Sequence, residues 1–229
     1  MQCMILAAEK ESRFGLGVCK TLLPIGGRTI LDQIIENVKD YVNSVRIVVG
    51  YQKQKIKDKL YMEHPWIKTI VNPVWESTNT GFSFVLGLEN CPDGDLLWIN
   101  GDLIFDKKIL DFLVEIDTPY NLVAVRIGET DSEDMKVVLD NSGKVEQFGK
   151  RLQKAHGEAI GMGVIRQAHR ERLAKEMRKK FYKNKTAYYE DLFNFVLEEI
   201  PFLAVNIKEE VCLDINTYSD YLAAISLLT

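Results

Sequence analysis

The apolar stretch Leu6-Ala7-Ala8 gives way to Glu9, Glu11, Ser12 and Arg13, and then to Lys20 and Pro24. A strand that opens there into a loop beneath a helix leaves backbone N–H groups unpaired. With a nearby cation they can converge on a polyphosphate. A second position with chemistry is Asn100-Gly101-Asp102, directly after the apolar run Leu96-Leu97-Trp98-Ile99. A carboxylate at the end of a buried strand points into the crevice where α/β sheets bind ligands, and its oxygens suit a hard cation. Thr78, Asn79 and Ser83 offer donors and acceptors beside Gly81, although helix capping accounts for the same residues without a ligand. Lys150 alone reads as a solvated lysine, Tyr189 as core, and Glu190 with Asp191 as residues that favour a helix N-terminus. Aromatic faces with a carboxylate can also hold a cationic head group.

The elements that must position these residues follow from periodicity. Short apolar runs at Met4–Ala8, Val45–Val49, Thr69–Val71 and Leu96–Ile99 alternate with helix-spaced segments such as Ile30, Leu31, Ile34, Ile35 and Val38. Continuous apolar strands separated by helices imply a sheet buried on both faces, largely parallel, with ligands at the carboxyl ends of the strands. After Leu122–Val125 the texture changes. Met135–Leu139, Lys144–Phe148 and Ala159–Ile165 read as strands joined by turns, an antiparallel part that shapes a substrate side. Residues 168–200 read as helical with charged faces, and the basic run from Arg170 to Lys185 as a wet helix face. Phe202–Ile207 reads as a strand, and 216–228 as a closing helix with Tyr218, Tyr221, Leu222 and Ile225 inward. Trp66, Trp75 and Trp98 are expected in the core or in a pocket wall.

In their order along the chain these segments resemble the nucleotidyltransferase family that includes sugar-phosphate nucleotidylyltransferases and phosphocholine cytidylyltransferases. That family carries a Leu-Ala-Ala-Gly-x-Gly-x-Arg loop leading to a Pro-Lys pair. Here Glu9 and Glu11 replace the glycines and Cys19 the proline. The resemblance runs from Met4 to about Tyr221. It implies an α/β, Rossmann-like three-layer sandwich with a mixed, mostly parallel sheet and a small antiparallel insertion on the acceptor side. Residues 1–229 form a single domain on this reading, with a nucleotide-binding half over 1–120 and an acceptor-binding half over 121–229.

By the same resemblance Lys20, Arg13 and Asp102 are catalytic, and Leu6, Ala7, Ala8, Ser12, Asn79, Ser83 and Gly101 face the nucleotide. Lys150, Tyr189 and Glu190 face the acceptor. Asp102 and Asp214, the latter in Leu213-Asp214-Ile215-Asn216-Thr217, hold Mg²⁺. The implied reaction transfers a nucleoside monophosphate, CMP from CTP being favoured, to a small phosphorylated acceptor such as phosphocholine, a phosphonate or a sugar or polyol phosphate, with release of pyrophosphate. Two alternatives stand beside it. One is a non-catalytic sensor with Glu9 and Glu11 marking a lost loop; the other is a nucleotide-sugar glycosyltransferase, which normally shows an Asp-x-Asp pair where this chain has Asp102-Leu103-Ile104.

The totals narrow the setting. With 29 basic and 33 acidic side chains the net charge is −4, which gives no global field for nucleic acid or an anionic membrane. Neither partner is expected, and a homodimer is left open. Cys3, Cys19, Cys91 and Cys212 form no Cys-x-x-Cys pair, and His64, His156 and His169 show no ligand spacing, so a zinc site or Ser/His triad is not indicated. The start lacks the basic leader of a secretion signal and no apolar run reaches membrane-spanning length. A cytoplasmic protein is expected.

Overall fold

The computed structural model describes residues 1–10 and 17–228. Strand β1 (Gln2–Ala7) precedes a short hairpin, β2 (Pro24–Ile25) and β3 (Arg28–Thr29). Then come α1 (Ile30–Val38), β4 (Val45–Val49), α2 (Lys53–Glu63), β5 (Lys68–Val71), α3 (Thr80–Asn90), β6 (Leu96–Asn100), β7 (Leu103–Phe105) and α4 (Lys108–Val114). The remainder comprises β8 (Asn121–Ile127), β9 (Lys136–Leu139), β10 (Val145–Phe148), β11 (Gly157–Ile165), α5 (Gln167–Phe181), α6 (Tyr189–Phe193), β12 (Phe202–Asn206), β13 (Cys212–Asp214) and α7 (Tyr218–Leu228).

A nine-stranded sheet runs β10-β9-β11-β6-β1-β4-β5, with β8 beside β11 and β12 beside β8. The strands β5, β4, β1 and β6 are parallel. Strand β11 runs against β6, β8 and β9, and β10 runs against β9, while β12 follows β8. Every strand of this sheet except β10 and β11 therefore points the same way, and the sheet is mixed but mostly parallel in direction.

Side-chain alternation along a strand explains the three layers. In β1, Cys3, Ile5 and Ala7 enter one core with the buried faces of α1 and α4, while Met4 and Leu6 enter the other with α3, α5 and α6. Both faces of the central strands are thus covered, which is why they read as unbroken apolar runs. In the second core Trp98 meets Phe84, Phe193 and Phe202 edge-on at 5.6, 5.9 and 6.3 Å. This cluster fixes α6 against the sheet, and with it the neighbouring Tyr189 and Glu190.

Several expectations need correction. The helical reading of 168–200 breaks after Phe181, resumes at Tyr189 and stops at Phe193, with turns over 194–200. Between Phe181 and Tyr189 the Asn184 side chain accepts from the Thr186 amide and hydroxyl, an Asx-type turn. Arg170 is not on a wet face. It is buried, and its guanidinium donates to the carbonyls of Leu88, Cys91, Pro92 and Gly94, which takes up the acceptors left open at the end of α3. In α7 Tyr218 and Leu222 are exposed while Ala224 is fully buried, so the helix packs closely through a small side chain. Trp66 is 50% exposed in the turn after α2. Five elements have no counterpart in the sequence reading: β2 and β3 of the short hairpin, β7, α4 and β13.

Candidate active site

The carboxyl ends of β1 and β6 lie side by side, with Leu6 paired to Asn100. The chain then turns sharply, as the Gly101 amide donates to the Leu6 carbonyl at 2.8 Å. A Cβ on Gly101 would stand 2.6 Å from that carbonyl oxygen and 3.0 Å from Thr21 Oγ1, so only glycine fits. Asp102 emerges from this turn over the ends of the parallel strands. A small cavity of about 60 Å³ opens there, lined by Leu6, Ala7, Ala8, Lys20, Ser83, Gly101 and Asp102 among others. Ser83 is buried at its wall and accepts from Asn72 Nδ2 at 3.1 Å.

Lys20 opens a 3₁₀ turn, Lys20–Leu22, and is mostly buried. Its ammonium lies 2.6 Å from Asp102 Oδ2 and donates to Asn216 Oδ1 at 3.2 Å. Asn216 Nδ2 in turn donates to Asp214 Oδ2 at 2.5 Å. The two aspartates, distant in sequence, come together because β7 and β13 form an antiparallel ladder. Leu103 pairs with Asp214, and the Ile215 amide donates to the Asp102 carbonyl at 3.0 Å. Asp220 fixes the next turn by accepting from the amides of Asn216 and Thr217 at 2.9 and 2.7 Å.

A larger cavity of about 1030 Å³ adjoins the first, and Asp102 lines both. Its wall includes Asn79, Lys150, Tyr189, Glu190 and Asp214. Asn79 also caps α3, its side chain accepting from the Thr80 amide at 2.8 Å. Lys150 Nζ stands 4.9 Å from the centre of the Tyr188 ring. The buried Tyr189 hydroxyl donates to Asn100 Oδ1 at 3.3 Å, and its ring stacks on Phe84 at 4.7 Å. Burial pushes the Glu190 carboxyl up to about 8. Asp191 adds to the rise, while the Tyr189 hydroxyl and Lys150 oppose it. Glu190 is therefore largely a neutral acid near pH 7.

The structure thus gathers Lys20, Asp102, Leu6, Ala7, Ala8, Ser83, Gly101, Asn79, Lys150, Tyr189, Glu190 and Asp214 around two adjoining cavities. Ser12 and Arg13, with Glu11, lie outside the described residues. Sequence reasoning missed Asn216 and the ion pair of Arg126 with Glu158, joined at 2.6 Å and directly opposed in the β8–β11 pairing. Arg126 also donates to the Cys212 carbonyl at 2.9 Å, and so ties β8 to β13. Burial first, then the nearby Asp134, raise the Glu158 carboxyl. The signal for this pair was present as an Arg and a Glu on two strands of the antiparallel part, but their register was not readable.

Two other chemistries can be set aside among the described residues. Asp32, Glu63 and His64 do converge, with ligand atoms within 4.8 Å, although the histidines showed no such spacing in sequence. Lys59 fills that group with its own ammonium, 2.9 Å from Asp32 and 2.6 Å from Glu63. Burial raises the thiols of Cys3, Cys19, Cys91 and Cys212, which suits packing rather than nucleophilic attack.

Residues 3–175 match the MobA-like NTP transferase domain. The chain belongs to that family. That membership is what the order of its motifs led us to expect. It is 30% identical over 170 residues to the bifunctional protein GlmU of Methanocaldococcus jannaschii, a match covering 72% of this chain and 40% of the relative. With the GlmU of Methanococcus vannielii the identity is 36% over 117 residues, 48% of this chain and 27% of the relative. The chain thus spans less than half the length of these relatives. In fold it is similar to the inositol-1-phosphate CTP transferase from T. maritima, with a TM-score of 0.84 at 14% identity over 99% of this chain and 95% of the other. It is also similar to the CTP:phosphocholine cytidylyltransferase from Streptococcus pneumoniae, with a TM-score of 0.78 at 17% identity over 100% and 99%.

Proposed function

We propose that this chain transfers a nucleoside monophosphate, CMP from CTP, to a small phosphorylated acceptor and releases pyrophosphate. The observation that carries this reading is the chain of contacts from Asp102 through Lys20 and Asn216 to Asp214, set where the two cavities meet. It sets the Lys20 ammonium against Asp102 at the end of a parallel strand and links it through Asn216 to Asp214 on the β7–β13 ladder, where a triphosphate and an acceptor can be brought together.

Asp102 and Asp214 with the Asn216 side chain are an all-oxygen donor set, which fits a hard divalent cation such as Mg²⁺. Bound there, Mg²⁺ would supply positive charge against the α-phosphate. The chain's own residues do the rest. Lys20 neutralises the phosphates, and Arg13 does so as well. Leu6, Ala7 and Ala8 with Ser12 and Gly101 border the phosphates and sugar, and Asn79 and Ser83 offer groups to the base. Lys150 aligns the acceptor phosphate, whose oxygen is already anionic near neutral pH. That oxygen forms the new bond to the α-phosphorus as the bond to the bridging oxygen breaks, and the electron pair leaves on pyrophosphate. No protein base is required.

Two features support CTP and a phosphorylated polyol or choline-type acceptor: the likeness in fold to two CTP-dependent enzymes, and the pairing of Tyr188 and Glu190 beside Lys150. A cationic head group set against Glu190 would draw that acid towards its charged form. Four free, buried cysteines fit a reducing cytosol, and no helix of the described residues is long and apolar enough to cross a membrane. The test is a matrix of four nucleoside triphosphates against phosphocholine, aminoethylphosphonate, inositol phosphate and sugar phosphates with Mg²⁺, following pyrophosphate. Turnover with CTP and one acceptor is expected; tight nucleotide binding without turnover in any cell supports the sensor reading instead.

A further inference from the structure

Tyr51 and Gln52 have no part in the chemistry above, yet both converge on the segment that carries Lys20. The Tyr51 amide donates to the Ala8 carbonyl at 2.9 Å and its hydroxyl to the Gly17 carbonyl at 2.6 Å. Gln52 Nε2 donates to the same Gly17 carbonyl at 2.7 Å and to the Tyr51 hydroxyl at 3.0 Å. One tyrosine thus touches both the end of β1 and the residue three positions before Lys20.

Backbone geometry shows that the arrangement is tightly specified. Gly17 has φ +59°, and a Cβ there would meet the Tyr51 hydroxyl at 3.2 Å. Gln52 sits at φ 48°, a left-handed conformation that side-chain-bearing residues rarely adopt. A Cβ on Gly50 would stand 2.5 Å from the Ala8 carbonyl and 2.6 Å from Trp75 Cβ, so the chain is pressed between the end of β1 and Trp75. The Tyr51 ring then packs against Trp75 at 5.3 Å, and Trp75 lines the large cavity. The bonds to Gly17 are exposed to solvent, where a hydrogen bond adds little to global stability. Their effect is on position.

We propose that Tyr51, assisted by Gln52, is a positioning residue that fixes Gly17 relative to Ala8 and so sets Lys20 for the phosphates of the nucleotide. The inference rests on the nucleotidyltransferase reading. Tyr51→Phe keeps the ring on Trp75 and the amide bond to Ala8 while removing the hydroxyl; combining it with Gln52→Ala removes both donors to Gly17.

The test joins steady-state kinetics with amide hydrogen exchange. For Tyr51→Phe the KM for the nucleoside triphosphate is expected to rise about fivefold, and further in the double variant, as for loss of one and then two ordinary hydrogen bonds. The KM for the acceptor and the melting temperature stay near wild type, and the amides from Gly17 to Lys20 exchange faster. An unchanged triphosphate KM, unchanged exchange, or a joint rise of both KM values with a fall in melting temperature would overturn the assignment. If wild-type protein turns over no triphosphate, the functional reading fails first, before any variant is compared.

Discussion

The ammonium of Lys20 lies 2.6 Å from Asp102 Oδ2, with the lysine side chain 10% and the aspartate 24% exposed. A pair this sheltered holds both side chains in one geometry, and the aspartate keeps enough solvent contact to survive loss of its partner. On the proposed reading, the cation assigned to the phosphates is held against the carboxylate assigned to the metal.

Replacing either partner should remove chemistry and spare the fold. Lys20→Ala and Asp102→Ala are each expected to lower kcat by about 10²- to 10³-fold, the usual consequence of losing one preorganised electrostatic group. Circular dichroism and melting curves of both variants should stay close to wild type. Full activity in either purified variant contradicts the role given to it.

Asn216 offers a finer test, because its amide spans Lys20 and Asp214 through opposite ends. Asn216→Ala leaves both charged groups in place but lets them rotate. We expect kcat to fall about tenfold, in line with loss of a side chain that orients a metal ligand. Asn216→Asp, which puts a third carboxylate beside Asp214, should shift the divalent-ion concentration needed for half-maximal rate. Identical ion titrations for the wild type and both variants would remove Asn216 from the site.

The Glu190 carboxyl gives a prediction about stability. Its value rises from 4.5 to about 8 on folding, so the folded chain holds the proton more tightly than the unfolded one. That contribution is complete below 4.5 and is lost as pH rises through about 8. Wild type should therefore weaken relative to Glu190→Gln between about pH 5 and pH 9, by a few kcal/mol at the alkaline end. Urea unfolding of both proteins across that window measures the difference. A difference that does not change with pH would mean Glu190 is charged in the folded protein.

Gly101 is set by close approach rather than by chemistry. Gly101→Ala forces a Cβ to within 2.6 Å of the Leu6 carbonyl, and a cost of about 1–3 kcal/mol is expected. The melting temperature should fall accordingly, and activity with it, since Asp102 is the next residue. A variant as stable as wild type would show that this turn relaxes freely.

Much of the fold was legible because the central strands bury both faces. Ile5, Leu97 and Val48 leave no polar alternation to blur the pattern, and Ile30, Ile34 and Val38 keep a clean helical period. Strand ends then locate the crevice, so Asp102 could be placed from Leu96–Ile99 alone. The meeting of Asp102 with Asp214 depends on β7 and β13, two strands of three residues that carry no periodic signal. Only the likeness to a family supplied Asp214, and nothing supplied Asn216. Arg170 was misread for a related reason. Its position in a basic run suggests solvent, but the open carbonyls after α3 lie more than seventy residues earlier in the chain and are invisible to local pattern. Outward Tyr218 and Leu222 show the converse, since apolar residues at helical spacing need not face the core when a small residue such as Ala224 allows tighter packing.

The most direct test follows the label from CTP carrying ³²P at the α-position, incubated with Mg²⁺ and each acceptor, in wild type and in Asp214→Ala. Wild type is expected to move the label into a product containing the acceptor, with one pyrophosphate released per transfer, and Asp214→Ala to do so at least a hundredfold more slowly. Label that stays in CTP with every acceptor, or a fully active Asp214→Ala, would overturn the CTP-dependent transfer proposed above.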